Sequence, residues 1–95
     1  MLNIAVLVSG GGTNLQALID AQNRGEIING RITCVISSKP GVYALERAEK
    51  ANIPSAVIAR SEYPDIRSYT AAITKELLNR KANLVVYAGF MTILD

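Results

Sequence analysis

The fold is decided by the stretch NIAVLVSGGGTNLQALIDAQNR, residues 3–24. Residues 3–8 form an apolar run of the kind found in a strand buried on both faces. From Asn14 onward apolar residues recur at helical spacing, which predicts a helix over 14–24. The connection, residues 9–14, contains the consecutive glycines Gly10, Gly11 and Gly12. We therefore predict a buried strand, a tight turn and a helix in direct succession.

Residues 9–14, hereafter the glycine loop, are the strongest functional signal in the chain. Glycine has no Cβ, so the backbone can turn tightly and direct several N–H groups at one oxyanion. The helix that follows adds its unpaired N-terminal N–H groups and the positive end of its dipole. The loop is therefore expected to bind a phosphate or a carboxylate.

A purely structural explanation of part of this loop stays open. Thr13 and Gln16 have the spacing of a capping box, in which Thr accepts a hydrogen bond from the amide three residues on and Gln reaches back. Such a box would account for Thr13 but not for the run of glycines, because each additional glycine costs conformational entropy.

The residues around the loop exclude two common kinds of phosphate site. A P-loop needs Lys and then Ser or Thr after its last glycine, whereas Asn14 and Leu15 stand nearby here. A dinucleotide fingerprint would need a third glycine where Leu15 stands, and no acidic residue ends the second apolar run. Lys39, at that end, leaves an NADP-dependent oxidoreductase fragment as an alternative.

Composition narrows the class of protein further. The chain has 95 residues, enough for one domain, and a net charge of +2 without a basic block. This argues against a dedicated nucleic-acid or membrane surface. Without an apolar run of about 18 residues or an N-terminal leader, we expect a cytoplasmic protein. The lone Cys34 is expected to be a buried strand residue, and with no histidine we expect no metal site.

Apolar runs alternate with helical periods along the whole chain. We predict strands over 3–8, 31–37, 54–58 and 83–88, and helices over 14–24, 41–51 and 65–80, the last with Tyr69, Ala72, Ile73 and Leu77 on one face. This order predicts an α/β fold, a Rossmann-like parallel sheet with helices on both faces. Ligands of such sheets bind beyond the carboxyl ends of the strands, where residues 9–14, 37–41 and 89–92 are expected to meet.

The last predicted strand is followed by Phe90 and Met91, with little sequence left to cover them. We therefore expect residues 1–95 to be the first half of a larger domain, its first four strand-helix units. The uncovered edge is a possible site of self-association.

Four strings of the sequence carry a family signature. They are IAVLVSGGGTNLQALID (residues 4–20), VISSK (35–39), ALERA (44–48) and VVYAGFMTIL (85–94). Together they resemble phosphoribosylglycinamide formyltransferase, the folate-dependent transformylase of purine biosynthesis, over the whole chain and in register. Methionyl-tRNA formyltransferases, which share the fold, open with a different first loop.

The resemblance implies an activity and two groups of site residues. The family transfers a formyl group from 10-formyltetrahydrofolate to the amine of glycinamide ribonucleotide. Residues 11–14 would hold the substrate phosphate: Gly11, Gly12, Thr13 and Asn14. The folate pocket would include Arg67, Met91, Thr92, Ile93 and Leu94. Many relatives carry Arg where Thr92 stands, which leaves backbone contacts as the expectation there; for the three apolar residues, plain core packing remains an alternative.

The resemblance also implies what this half cannot do. The family's catalytic Asn, His and Asp lie in the second half, and the present chain has no histidine. We assign no catalytic residue and expect residues 1–95 alone to be inactive. Besides the NADP-dependent fragment, a non-catalytic phosphate-binding module of the same fold stays open.

Overall fold

The computed structural model describes residues 1–90. The elements in chain order are β1 (Leu2–Val8), α1 (Thr13–Asn23), β2 (Gly30–Ser37), α2 (Tyr43–Lys50), β3 (Ser55–Val57), α3 (Ile66–Asn79) and β4 (Leu84–Tyr87). All the predicted strands and helices are present, with ends displaced by one or two residues. A single 3₁₀ turn, Arg60–Glu62, was not predicted.

The strands form one parallel sheet in the order β3-β2-β1-β4. β1 is central, with β2 on one side and β4 on the other, so the direction of strand order reverses at its carboxyl end. Open α/β sheets bind ligands at such a point because two neighbouring loops diverge there and leave a crevice. The glycine loop follows β1 directly.

Helices cover both faces of the sheet, as predicted. On one face α1 and α2 pack on the strands through small and branched side chains, including Leu15, Ile19, Ala44 and Ala48. On the other face α3 contributes Tyr69 and Ile73, with Leu77 packed beside them. The predicted apolar face of α3 is therefore confirmed for Tyr69, Ile73 and Leu77, while Ala72 is partly exposed and lies outside this cluster.

All three helices end in the same way at the amino end of the sheet. The residue after each C-cap has left-handed backbone: Gly25 (φ 75), Asn52 (φ 60) and Lys81 (φ 56). In each case two backbone amides bond back to the last turn, the arrangement of a Schellman motif, through the pairs Gly25–Gln22 and Glu26–Ala21, Asn52–Glu49 and Ile53–Ala48, Lys81–Leu78 and Ala82–Leu77. These bonds satisfy helix carbonyls that would otherwise lack partners. No helix in residues 1–90 is long and apolar enough to cross a membrane.

Candidate functional site

The loops that follow β1, β2 and β4 meet at the carboxyl end of the sheet. The Ser38 amide donates to the Val8 carbonyl at 3.0 Å, and the Ala88 amide donates to the Leu7 carbonyl at 2.9 Å. The start of α2 is bound directly to the glycine loop, because the Ala44 amide donates to the Gly10 carbonyl at 3.2 Å. The predicted convergence of these segments is confirmed for the part that the structure describes.

Gly12 is the residue that shapes the glycine loop. It is the N-cap of α1 and has left-handed backbone, with φ 82 and ψ 28. A Cβ at this position would lie 2.7 Å from the Cβ of Ala44 and 2.8 Å from its Cα. Both the conformation and the close approach of α2 therefore require glycine. By contrast, a Cβ on Gly10 or Gly11 would meet nothing within 4 Å.

The capping-box alternative is wrong. Thr13 is the first residue of α1 rather than its N-cap, and within residues 1–90 no side-chain cap closes this helix. The Gln16 side chain does not turn back; its Nε2 donates to Asp20 Oδ1 at 2.9 Å and its Oε1 accepts from Arg47 at 3.2 Å. The Gln16 side chain therefore bonds to Asp20 and to Arg47 of α2 instead of reaching back to the N-cap.

The charge beside the loop comes from a neighbouring helix. The glycine loop itself contains no basic side chain. Arg47 of α2 reaches it, and its Nε donates to the Gly11 carbonyl at 2.8 Å. A guanidinium next to a helix N-terminus makes the local potential more favourable for an anion. The role of Arg47 could not be predicted from the sequence, because its contact with Gly11 depends on how α2 packs against the loop.

A pair of buried hydroxyl groups joins the first residue of the glycine loop to the turn after β2. The Oγ atoms of Ser9 and Ser38 are 2.7 Å apart, which joins the ends of β1 and β2. The Ser37 hydroxyl donates to the Lys39 carbonyl and accepts from the Lys39 amide, which shapes the turn after β2. Ser9 and Ser38 each follow directly after one of two neighbouring parallel strands, and this shared position was the available sign in the sequence that their side chains meet.

The expected folate residues are only partly within the described region. Arg67 is exposed in the first turn of α3, on the opposite face of the sheet from α1 and α2. The structure therefore does not bring it into the glycine loop. Met91, Thr92, Ile93 and Leu94 lie outside the described residues. Phe90, just before them, packs edge-on against Tyr87 with ring centroids 5.7 Å apart.

A surface cavity of about 370 Å³ lies at the other end of the sheet, among Gln22, Arg31, Thr33, Asn52 and neighbouring backbone. Part of its polar lining is already used in the fold, since Gln22 Oε1 accepts from the Ile32 amide at 2.6 Å. We place the candidate site at the glycine loop rather than in this cavity because the loop combines a helix N-terminus whose N-cap residue gives no side-chain cap with the adjacent guanidinium of Arg47.

The titratable groups of the core have structural roles. Cys34 is buried, as predicted, and burial raises the pKa of its thiol. Burial also raises the pKa of Tyr69 to about 12, and its hydroxyl donates to the Ile58 carbonyl at 2.7 Å. Among residues 1–90, no group of three or more His, Cys, Asp or Glu side chains is placed to hold a metal ion.

Comparison with known families identifies the class of protein that this fold and loop define. The model of the formyl transferase family matches residues 2–95. The chain therefore belongs to the formyl transferase family.

Individual relatives narrow the resemblance. The chain is 46% identical over 94 residues to phosphoribosylglycinamide formyltransferase of Haemophilus influenzae, and covers 99% of itself and 44% of that enzyme. It is 45% identical over 93 residues to the trifunctional purine biosynthetic protein adenosine-3 of Drosophila melanogaster, covering 97% of itself and 7% of that protein. Glycinamide ribonucleotide transformylase 1 of Symbiobacterium toebii superposes with a TM-score of 0.93 at 38% identity, over 100% of this chain and 44% of the other.

These relatives confirm the family that the four sequence strings indicated. They favour neither the NADP-dependent oxidoreductase nor the non-catalytic module. The chain spans about half the length of the single-function relatives it matches.

Proposed function

We propose that residues 1–95 form the substrate-phosphate half of a glycinamide ribonucleotide formyltransferase. The complete protein would transfer a formyl group from 10-formyltetrahydrofolate to glycinamide ribonucleotide in purine biosynthesis. The observation that carries this proposal is the family match over residues 2–95, which includes a glycine loop at the strand-order reversal. Relatives of similar sequence are named for this activity.

The phosphate site in this proposal is formed by backbone amides of Gly11, Gly12, Thr13 and Asn14. Its support is the geometry at the start of α1, where Gly12 is left-handed and no side chain within residues 1–90 caps the helix. A phosphate would accept hydrogen bonds from amides that otherwise face water. Thr13 and Asn14 are exposed and add polar side chains beside the anion.

The folate site in this proposal includes Arg67, Met91, Thr92, Ile93 and Leu94. Arg67 is supported by its exposure near the start of α3, and the other four by their place in the sequence shortly after β4, the strand that pairs with β1. Because an apolar wall holds ground state and transition state about equally, Met91→Ala should raise the KM for 10-formyltetrahydrofolate more than it alters kcat. A changed kcat at constant KM would contradict this assignment.

Residues 1–95 alone should not transfer formyl groups. A proton shuttle near neutral pH is usually His, with a pKa of about 6.5, and the chain has none. The carboxylates of Asp20, Glu46 and Asp65 are exposed, and we assign none of them a catalytic role. Small-molecule substrates in the cytoplasm are the expected partners, rather than nucleic acid or membranes.

The isolated chain is expected to self-associate through β4, because Leu84 and Tyr87 of this edge strand are exposed.

The test is a chimera in which residues 1–95 replace the matching half of the Haemophilus influenzae enzyme. We expect the purified chimera to form formylglycinamide ribonucleotide only when both substrates are present, and the 95-residue chain alone to form none. The parent enzyme serves as the activity control, and circular dichroism shows whether the chimera is folded. A folded chimera that binds neither substrate would contradict the proposal, as would turnover by the 95-residue chain.

A further inference from the structure

Arg47 connects three parts of the candidate site. Its Nε donates to the Gly11 carbonyl at 2.8 Å, and its Nη1 donates to Gln16 Oε1 at 3.2 Å. We propose that Arg47 is a positioning residue that fixes the orientation of the Gly11–Gly12 peptide, so that the Gly12 amide faces the bound phosphate. This inference rests on the proposed function, because it assumes that the glycine loop is the phosphate site.

The orientation of this peptide needs an anchor because glycine stands on both sides of it. In a trans peptide the C=O and the N–H point in opposite directions, so fixing one fixes the other. Side-chain clashes normally restrict rotation of a peptide plane, but two glycines remove them. A rotated plane would turn the Gly11 carbonyl oxygen toward the phosphate, where like partial charges repel. A hydrogen bond from a charged guanidinium to that oxygen selects the orientation that leaves the amide available.

The position of Arg47 is itself fixed by its surroundings. Its guanidinium carbon lies 4.7 Å from the centroid of the Tyr43 ring, within the range of a cation–π contact. A Cβ on Gly12 would be 3.2 Å from its Cδ, so the stem of the side chain lies against the loop. The side chain is half-buried, and it holds both the loop and Gln16 of α1. Arg47 therefore links α2 to the glycine loop and to α1, and it also places a positive charge beside the loop.

Two substitutions separate the effect of the Arg47 hydrogen bonds from the effect of its charge. Arg47→Ala removes both, whereas Arg47→Lys keeps the charge but lacks the planar fork that reaches Gly11 and Gln16 together. Arg31→Ala is the matched control, because Arg31 is an exposed arginine at the opposite end of the sheet and its loss changes the net charge equally. Amide spectra of the ¹⁵N,¹³C-labelled 95-residue chain show whether each variant is folded.

The experiment has two readouts in each variant. The first, without ligand, is the ¹³C shift of the Gly11 carbonyl and the ¹⁵N shift of the Gly12 amide, which report the hydrogen bond to that oxygen. The second is the dissociation constant for ribose 5-phosphate, followed at the loop amides. We expect Arg47→Ala to change both shifts and weaken binding about tenfold, Arg47→Lys to weaken it about threefold, and Arg31→Ala to leave both readouts close to wild type.

Several results would overturn the inference. An Arg47→Ala variant with wild-type affinity would overturn it. Equal losses of affinity in Arg47→Ala and Arg31→Ala would also overturn it, because the effect would then come from net charge alone. Full affinity in Arg47→Lys would overturn it for the same reason, since lysine keeps the charge. If the wild-type chain shows no loop shifts with ribose 5-phosphate, the proposed function of the loop fails instead. The ligand-free shift of the Gly11 carbonyl still decides, in that case, whether Arg47 sets the peptide orientation.

Discussion

At the amino end of the sheet three helices end with the same pair of backbone hydrogen bonds, whereas at the carboxyl end the three helices begin in three different ways. Asp65 caps α3 through its side chain, accepting from the Ser68 amide at 2.7 Å. Within residues 1–90, neither Val42 before α2 nor Gly12 before α1 supplies a side-chain cap. Among the described helices, α1 alone has a left-handed glycine as its N-cap, whereas the left-handed Gly41 precedes the N-cap of α2.

This difference separates the parts of the molecule that complete the fold from the part that is open to a ligand. Backbone groups at the amino end are satisfied by the chain itself, and the cavity there is lined in part by groups that already hold the fold. At the start of α1 the close approach of α2 shapes the loop, and the N-cap residue Gly12 gives the first turn no side-chain cap. The missing side-chain cap at the start of α1 is therefore a better indication of the site than the cavity at the amino end of the sheet.

The largest expected effect follows from substituting two glycines that share a left-handed backbone. Gly12 (φ 82) contacts α2, whereas a Cβ on Gly25 (φ 75) would meet nothing within 4 Å. Gly12→Val should weaken the binding of glycinamide ribonucleotide by at least about 1 to 3 kcal/mol, because the loop amides can no longer converge on the anion. Gly25→Val should keep the affinity of the wild type.

Isothermal titration calorimetry on the two valine variants measures this difference, with circular dichroism as the control for folding. Equal affinity in Gly12→Val and the wild type would remove the loop from the site. Equal losses in both variants would mean that strain in the fold, rather than the loop, lowers the affinity.

A smaller effect is expected at Tyr69, whose hydroxyl serves the fold at the carboxyl end of β3. Tyr69→Phe leaves the Ile58 carbonyl without this donor and should lower the free energy of unfolding by about 1 kcal/mol. Because the folded-state pKa of about 12 lies above the ordinary value, the neutral phenol stabilises the fold fully below pH ~10. That stability should be lost as the pH rises from about 10 towards 12.

Urea denaturation of wild type and Tyr69→Phe between pH 7 and pH 11.5 tests this prediction. The gap between the two proteins should narrow at the alkaline end, while the affinity for ribose 5-phosphate at pH 7 stays the same. A gap that is constant with pH would show that the Tyr69 hydroxyl does not titrate as proposed.

The smallest effect should have the opposite sign. Lys81 adopts a left-handed backbone that favours glycine (φ 56), so Lys81→Gly should stabilise the chain by about 0.5 kcal/mol. The matched variant Lys75→Gly lies in the interior of α3 and should destabilise it by about 1 kcal/mol. Thermal denaturation of both variants provides the comparison; destabilisation by Lys81→Gly would show that the helix ends at the amino end of the sheet carry no backbone strain.

The order of elements was predictable from the sequence because apolar periodicity determines it almost alone. The apolar run of β1 is typical of a buried strand, and the spacing of Tyr69 and Ile73 in α3 is typical of a helix. The alternation of such strands and helices along the chain predicts the parallel sheet. The left-handed Lys81 was not predictable, since lysine rarely adopts that conformation and only the Schellman bonds require it here.

At the candidate site the sequence predicted a tight glycine turn but not the contacts that this turn makes with a distant helix. The left-handed backbone of Gly12 agrees with that turn, whereas its close approach to Ala44 of α2 could not be predicted from local sequence. The capping box of Thr13 and Gln16 satisfied its sequence pattern but lost its glutamine to Arg47, a residue 31 positions away. The small residues Ala44 and Ala48, spaced to lie on one face of α2, were the available sign that this helix approaches the loop closely.

The most direct test of the central claim is to map where the nucleotide substrate binds. Glycinamide ribonucleotide is titrated into the ¹⁵N-labelled 95-residue chain, and the shift of every assigned amide is followed to saturation. The account predicts that the largest shifts lie at Gly10, Gly11, Gly12, Thr13 and Asn14. Shifts centred instead on Gln22, Thr33 and Asn52, around the cavity at the amino end of the sheet, would contradict it, as would a spectrum that does not change.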